Sequence, residues 1–200
     1  MIGVLDYGLG NIASISNSLN KISKKNFFVS NQNDFDRASH LIIPGVGSYL
    51  SAMQILENKN LTNEIKKFAL KKPILGICLG MQILSTKGNE FKKVNGLDII
   101  PGEIVKFTED ENPLTTNVGW MKISPIINHK IFENVDFNVE FYFDHSYYFK
   151  PISEANILAV SKMKKNFCSC VVKKNIFGFQ FHLEKSHKNG LKILENFCNL

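Results

Sequence analysis

The sequence predicts an α/β fold, an open and mostly parallel twisted sheet flanked by helices, with further strands added in its second half. Three observations carry that expectation. Short apolar runs alternate with segments of helical spacing up to about residue 86, the pattern of parallel strands joined by crossover helices. Those runs end at glycine-containing turns, among them Asp6-Tyr7-Gly8-Leu9-Gly10, Pro44-Gly45-Val46-Gly47 and Gly76-Ile77-Cys78-Leu79-Gly80. Beyond about residue 100, short strands follow one another through hairpin-like turns.

Taken in order, Ile2-Gly3-Val4-Leu5 reads as a strand. Asn11 can cap a helix running to about Ile22, with Ile12, Ile15, Leu19 and Ile22 at helical spacing. Phe27-Phe28-Val29 is a second strand, and Leu41-Ile42-Ile43 a third that stops at Pro44. Met53, Leu56, Leu61, Ile65, Phe68 and Ala69 mark one or two helices. Pro73-Ile74-Leu75-Gly76-Ile77 is a fourth strand, followed by a helix from Leu79 to about Thr86. Short strands are then expected at Ile104–Phe107, Trp120–Ile123, Glu140–Phe143, Ile157–Ala159, Cys168–Lys173 and Ile176–Phe181, the last two joined at Lys174-Asn175. A final helix runs from about Ser186 to Cys198, with Leu191, Leu194 and Phe197 on one side. No linker or repeat divides the chain, so residues 1–200 are expected to form one domain.

Hydrophobic residues at 44% and charged residues at 21% exclude a disordered chain, a collagen and a coiled coil. A chain of this length buries roughly 70% of its unfolded surface and needs no covalent staple. No apolar run approaches the roughly 18 residues of a membrane span. The first residues carry Asp6 and no basic stretch, so a signal peptide is not expected, and the location expected is cytoplasmic. The net charge of +6 would suit a nucleic acid or another acidic partner. Arg37 is nonetheless the only arginine, and the lysines fall in scattered pairs such as Lys24-Lys25, Lys66-Lys67, Lys92-Lys93 and Lys173-Lys174. Arginine is the side chain suited to bidentate phosphate contacts, so these lysines read as a solvated surface, with no nucleic acid or membrane as partner. The cysteines, Cys78, Cys168, Cys170 and Cys198, are expected as reduced thiols. Cys168-Ser169-Cys170 is too tight for a zinc half-site and reads as two thiols on one face of a strand; no metal or cofactor is expected.

Gly76-Ile77-Cys78-Leu79-Gly80 joins an apolar strand to a helix in the pattern of a nucleophile elbow, with cysteine in place of serine. Glycines at both flanks let the strained turn bring helix and strand together. The sulfur then stands at the carboxyl edge of the sheet, where open α/β sheets bind ligands. A helix amino terminus contributes roughly 0.3–1 kcal/mol toward the thiolate, and up to about 2 when partly buried. That alone does not make the thiolate dominant at neutral pH, and a histidine partner would help. Taken alone, the pattern also fits a buried structural cysteine on a tight turn. His182-Leu183-Glu184 supplies the partner, because on an extended chain residues two apart point the same way and Glu184 can hold the His182 ring. His40, His129 and His187 lie at strand, loop or helix ends; His145 is a site-lining candidate without a carboxylate two positions on. The Pro44-Gly45-Val46-Gly47 loop can lie beside the elbow and offer backbone amides for half of an oxyanion hole, though taken alone it also fits an ordinary strand-to-helix turn.

Together these segments resemble the triad, or class I, glutamine amidotransferases. The motifs that carry the resemblance are Asp6-Tyr7-Gly8-x-Gly10-Asn11, Pro44-Gly45-Val46-Gly47, Gly76-Ile77-Cys78-Leu79-Gly80-Met81-Gln82, Gly119-Trp120, Tyr142-Phe143-x-His145-Ser146-Tyr147-Tyr148 and Gln180-Phe181-His182-x-Glu184-Lys185-Ser186. They span nearly the whole chain. Within the family they are most similar to the branch of glutaminase subunits that serve imidazole glycerol phosphate synthases in histidine biosynthesis. The resemblance implies that Cys78, His182 and Glu184 form the triad and that L-glutamine is cleaved through a Cys thioester. It implies that Gly45, Gly47, Gln82, Glu90, Ser146 and Tyr147 line the glutamine site, and that Val46 and Leu79 supply oxyanion amides. Asn11, Trp120, Met121, Tyr142 and Lys185 would face a (β/α)8-barrel synthase in a heterodimer and pass ammonia to it. Two departures stand out: Leu183 replaces the family's proline, and Asn117-Val118-Gly119-Trp120-Met121 stands where the family has His-Met-Gly-Trp-Asn. The second keeps open an alternative, in which the chain pairs with a paralogous barrel and supplies ammonia to a sugar amidotransferase of surface-polysaccharide or flagellar glycan synthesis. A non-catalytic regulatory subunit is the more remote alternative, against which the complete Cys78-His182-Glu184 set speaks.

Overall fold

The computed structural model describes all 200 residues. Its first half runs β1 (Ile2–Leu5), α1 (Ile12–Lys21), β2 (Asn26–Val29), α2 (Gln32–Arg37), β3 (His40–Ile43), α3 (Tyr49–Asn58), α4 (Leu61–Ala69), β4 (Ile74–Ile77) and α5 (Leu79–Gln82). The second half holds β5 (Lys87–Gly88), β6 (Val94–Asn95), β7 (Gly102–Lys106), β8 (Asn117–Met121), β9 (Ser124–Pro125), β10 (Phe141–His145), β11 (Tyr147–Pro151), β12 (Ile157–Lys162), β13 (Asn166–Lys173), β14 (Ile176–Phe179) and α6 (His187–Cys198). Asn11 caps α1 as expected, its Oδ1 accepting the Ser14 amide at 3.1 Å.

The main sheet has eight strands in the order β2-β1-β3-β4-β14-β13-β12-β9. The pairs from β2 to β14 are parallel, and those from β14 outward are antiparallel. Successive residues of the parallel strands enter cores on opposite faces: Val4, Ile42, Leu75 and Phe177 on one side, Leu5, Ile43, Ile74 and Ile176 on the other. This double burial explains why those strands read as unbroken apolar runs rather than alternating ones. Each such side chain stabilises the fold by roughly 1.5–3 kcal/mol relative to exposure. The register of β4 on β14 pairs Ile77 with Phe179, so both strands finish at the same sheet edge. Cys78 follows one of them directly and His182 lies three residues beyond the other. That shared edge brings two distant stretches of sequence together.

The second half departs from the expected pattern in several places. Not all its strands join the main sheet: β8 and β10 form a two-stranded ribbon, and β11-β7-β5-β6 a four-stranded sheet. The expected strands at Trp120 and Glu140 begin at Asn117 and Phe141. α2, β5, β6, β9 and β11 fall outside the expected elements; α2 buries only Phe35, too little for a helical stripe to register. The helix expected from Leu79 to Thr86 stops at Gln82. Ile83 and Leu84 are fully buried, and the Thr86 amide bonds Gly102, turning the chain into the small sheet. Cys168 and Cys170 do not share a face, since Cys168 packs in one core and Cys170 in the other. The cause is a β-bulge: Val160 pairs with Cys168 and Ala159 with Cys170, leaving Ser169 as the extra residue.

Candidate active site

Cys78 sits at φ 54° and ψ −112°, a conformation that side-chain-bearing residues resist. The flanking glycines are explained by space. A Cβ on Gly80 would come within 1.8 Å of the Ile43 carbonyl oxygen, and one on Gly76 within 2.4 Å of the Gly80 oxygen. The backbones of β3, β4 and α5 touch there, and only glycine allows it. The Cys78 amide donates to the Phe179 carbonyl at 2.8 Å, tying the elbow to β14.

His182 is buried, with Nδ1 2.9 Å from Glu184 Oε1. The pair forms differently from the expectation of an extended chain. Leu183–Lys185 is a 3-10 turn, which swings Glu184 back onto the ring. Leu183 is fully buried in the core, so the residue that departs from the family pattern points away from the pair. The Ser186 hydroxyl donates to the His182 carbonyl at 2.6 Å, and the His182 amide donates to Tyr142, fixing the backbone. Burial disfavours the charged ring. Hydrogen bonding and charge from Cys78 and then Glu184 outweigh it and hold the imidazolium well above its ordinary range.

Cys78 and His182 open on a cavity of about 280 Å³ with Val46, Gly47, Leu79, Gln82, Glu90, Ser146 and Tyr147 on its walls. Nine of the residues singled out in the sequence therefore meet there, and two others support them from behind: Glu184 against the ring, and Gly45 packed where a Cβ would meet the Tyr7 hydroxyl at 2.7 Å and Leu79 at 2.9 Å. Asp144, which no motif reading selected as a site residue, also lines the wall, as does His145. Glu90 accepts the Tyr49 amide at the start of α3, and the Ser146 hydroxyl donates to Thr116 at 3.1 Å. A larger opening of about 580 Å³ lies elsewhere among Lys66, Leu70 and Lys174, and it contains no cysteine or histidine.

Beside the cavity, β8 turns Val118 and Trp120 outward. The Trp120 ring stacks on His187 at 4.9 Å and meets Tyr142 edge-on at 5.7 Å, and the Lys185 ammonium lies 4.8 Å over Tyr142. Asn11 is exposed at the start of α1. Met121 is different: strand alternation turns it inward, and it packs against the core. Val118 holds the outward place instead. Asn117 is buried too, with Nδ2 3.0 Å from His145 Nε2, so the change from the family pattern at that position is internal.

His145 is the second buried imidazole. Nδ1 lies 2.8 Å from the Tyr147 carbonyl, which only accepts, so Nδ1 carries the proton and Nε2 accepts from Asn117. Burial pushes its pKa down; the Tyr147 carbonyl opposes that, the charge on His182 adds to it, and the result is about 4. In the unfolded chain the ring titrates near 6.5. Between those values only the unfolded chain takes up the proton, so stability falls as pH falls through that window and levels off below it. The shift corresponds to roughly 3 kcal/mol. Denaturant unfolding at pH 7 and pH 4.5 should show a clearly smaller acid loss for His145→Gln than for the parent. Equal losses would mean that the parent's ring is charged in the fold.

The sequence profile of the family "Glutamine amidotransferase class-I" matches residues 3–200. Among curated relatives, the imidazole glycerol phosphate synthase subunit HisH of Leptospira interrogans is 38% identical over 205 residues, covering 100% of each chain. The subunit HisH 1 of the same synthase from Campylobacter jejuni (strain RM1221) is 40% identical over 202 residues, again covering 100% of both. Among solved structures, PurLQS from Thermotoga maritima is similar in fold, with a TM-score of 0.77 at 18% identity over 99% of this chain and 97% of that one.

Proposed function

The chain belongs to the class-I glutamine amidotransferase family, and from that premise we propose that it is the glutaminase subunit of an imidazole glycerol phosphate synthase, one domain over residues 1–200. The observation that carries the reading is the meeting of Cys78, His182 and Glu184 at one small cavity walled by Gln82, Ser146 and Tyr147. His182 takes the thiol proton, and the sulfur attacks the side-chain carbonyl carbon of L-glutamine. The oxyanion forms against the amides of Leu79 and Val46. His182 returns its proton to the departing nitrogen, releasing ammonia and leaving a γ-glutamyl thioester. A water that His182 deprotonates then cleaves the thioester, and glutamate leaves. Ammonia passes to a (β/α)8-barrel synthase docked over Val118, Trp120, Tyr142 and Lys185, where it is built into imidazole glycerol phosphate.

A glutaminase that works alone would waste ammonia, so the oxyanion strand should be incomplete without its partner. Pro44 and Gly45 are locked: the Tyr7 hydroxyl donates to the Pro44 carbonyl at 3.0 Å, and Gly45 is wedged against Leu79. Gly47 is free. It has φ +100° and nothing within 4 Å of where a Cβ would stand, so the peptides beside Val46 and Gly47 are the ones able to turn. Losing one oxyanion donor costs about 10²–10³ in rate. The isolated chain should therefore hydrolyse glutamine at least about a hundredfold more slowly than its ligand-bound complex with the barrel. Gly47→Ala should lower the activated rate more than the basal one. Steady-state glutaminase assays with and without the barrel test this, and full activity in the isolated chain would remove the partner from the reading. Activation by a barrel that feeds a sugar amidotransferase, in place of the imidazole glycerol phosphate barrel, would move the chain to glycan synthesis.

A further inference from the structure

Gln180 follows β14 and is fully buried beside the elbow. Its Nε2 lies 3.7 Å from Cys78 Sγ, and its Oε1 lies 3.1 Å from Gln82 Nε2. Gln82 Nε2 also donates to the Tyr147 carbonyl at 2.9 Å. That carbonyl takes a second hydrogen bond from His145, whose ring is held by Asn117.

Counting donors and acceptors gives the whole chain a direction. The Tyr147 carbonyl only accepts, so Gln82 must turn its amide nitrogen toward it. The other N–H of that nitrogen meets Gln180, which must then present its oxygen. The Gln180 amide nitrogen is left facing the sulfur, and a thiolate only accepts. A side chain that merely filled space beside the elbow would need no such orientation. The tilt of each amide puts an N–H on the sulfur, whose other polar neighbour is the Asp144 carbonyl oxygen at 3.8 Å, and both N–H groups of Gln82 are spent in achieving it.

We propose that Gln180 is a positioning residue that donates a hydrogen bond to the Cys78 thiolate and, through Gln82, ties the sulfur to the Tyr147 wall of the substrate cavity. The proposal rests on Cys78 being the nucleophile. A donor aimed at the charged form favours it, and here that donor is held in a buried site where water cannot replace it. Other titratable groups also surround Cys78. They are His182 with Glu184 behind it, the Tyr7 phenol, and Asp144, His145, Glu90 and Tyr147 on the cavity wall. All of them are retained in variants that change only Gln180.

The test uses the full chain with Gln180→Met, which keeps the shape without the donor, and Gln180→Asn, which keeps the amide one methylene short. Carboxamidomethylation of Cys78 by iodoacetamide, followed at that peptide by mass spectrometry across pH, titrates the thiolate. In each variant that folds, the midpoint should rise by about one pH unit, a roughly tenfold drop in thiolate below it. The kcat for glutamine should fall about tenfold at neutral pH and recover as pH is raised, with KM within about twofold of the parent. A midpoint unmoved in a folded variant would overturn the proposal, as would a raised KM with kcat unchanged. The premise fails separately, if parental Cys78 reacts no faster than Cys198.

Discussion

Cys78→Ala is expected to lower glutamine hydrolysis by at least about 10⁴-fold, while synthase turnover on added ammonium survives in the complex. The expectation rests on place and on chemistry. Cys78 alone among the cysteines opens on the cavity beside His182. Burial pushes the thiols of Cys168 and Cys170 far up and that of Cys198 to about 12, so none of these is ionised near neutral pH. Alanine carries the same φ > 0 penalty as cysteine at this elbow, so the substitution changes the chemistry with little effect on backbone strain. Rapid-quench measurement of glutamate release, with unfolding followed in parallel, separates the two effects. Cys168→Ala should leave turnover roughly unchanged. Hydrolysis at near parental rate in Cys78→Ala would end the case for a thioester at this residue.

The elbow was legible because its constraint is local. A strand, a strained residue and two flanking glycines fall within five positions, and each glycine leaves a mark in the sequence. What Gly80 avoids is the carbonyl of Ile43, a contact the spacing could not name. The register that sets Cys78 beside His182 was likewise inaccessible, since pairing Ile77 with Phe179 joins segments 102 positions apart. Cys168 and Cys170 read in the sequence as neighbours on one face, because a regular strand alternates. The bulge that separates them depends on how β12 pairs with β13, which periodicity in β13 alone does not reveal. Met121 shows the same limit on the surface side. The resemblance places it facing a partner, whereas its strand partner Phe141 and the sense of the pleat turn it inward. β11 was hidden by its own chemistry: Tyr147 and Tyr148, which open it, read as part of a binding motif, and the strand does not show in the sequence. Gln180 lies in the Gln180–Ser186 motif, yet only the folded chain shows its amide against the sulfur.

His182→Asn should slow thioester formation by about 10⁴-fold, the upper range for a general acid–base group. Two proton transfers depend on that ring: removal of the thiol proton, and its delivery to the departing nitrogen. Asparagine at this position performs neither. Glu184→Gln should cost far less, on the order of 10²-fold, because Glu184 orients and stabilises the imidazolium without exchanging protons with substrate. The structure gives a specific reason for that ranking. Glu184 Oε1 accepts from the ring at 2.9 Å, while its other oxygen, Oε2, is buried without a hydrogen-bond partner. No donor or acceptor behind the carboxylate therefore dictates which way an amide would turn. Glutamine can keep its carbonyl on Nδ1 and preserve the tautomer, and what is lost is the negative charge. Losing that charge should also narrow the pH range of the active form from the alkaline side, because Glu184 is one of the groups that raise the affinity of His182 for its proton. Single-turnover rates at saturating glutamine, taken across pH for both variants, decide the matter. A loss for Glu184→Gln equal to or larger than that for His182→Asn would assign the carboxylate a direct part in proton transfer.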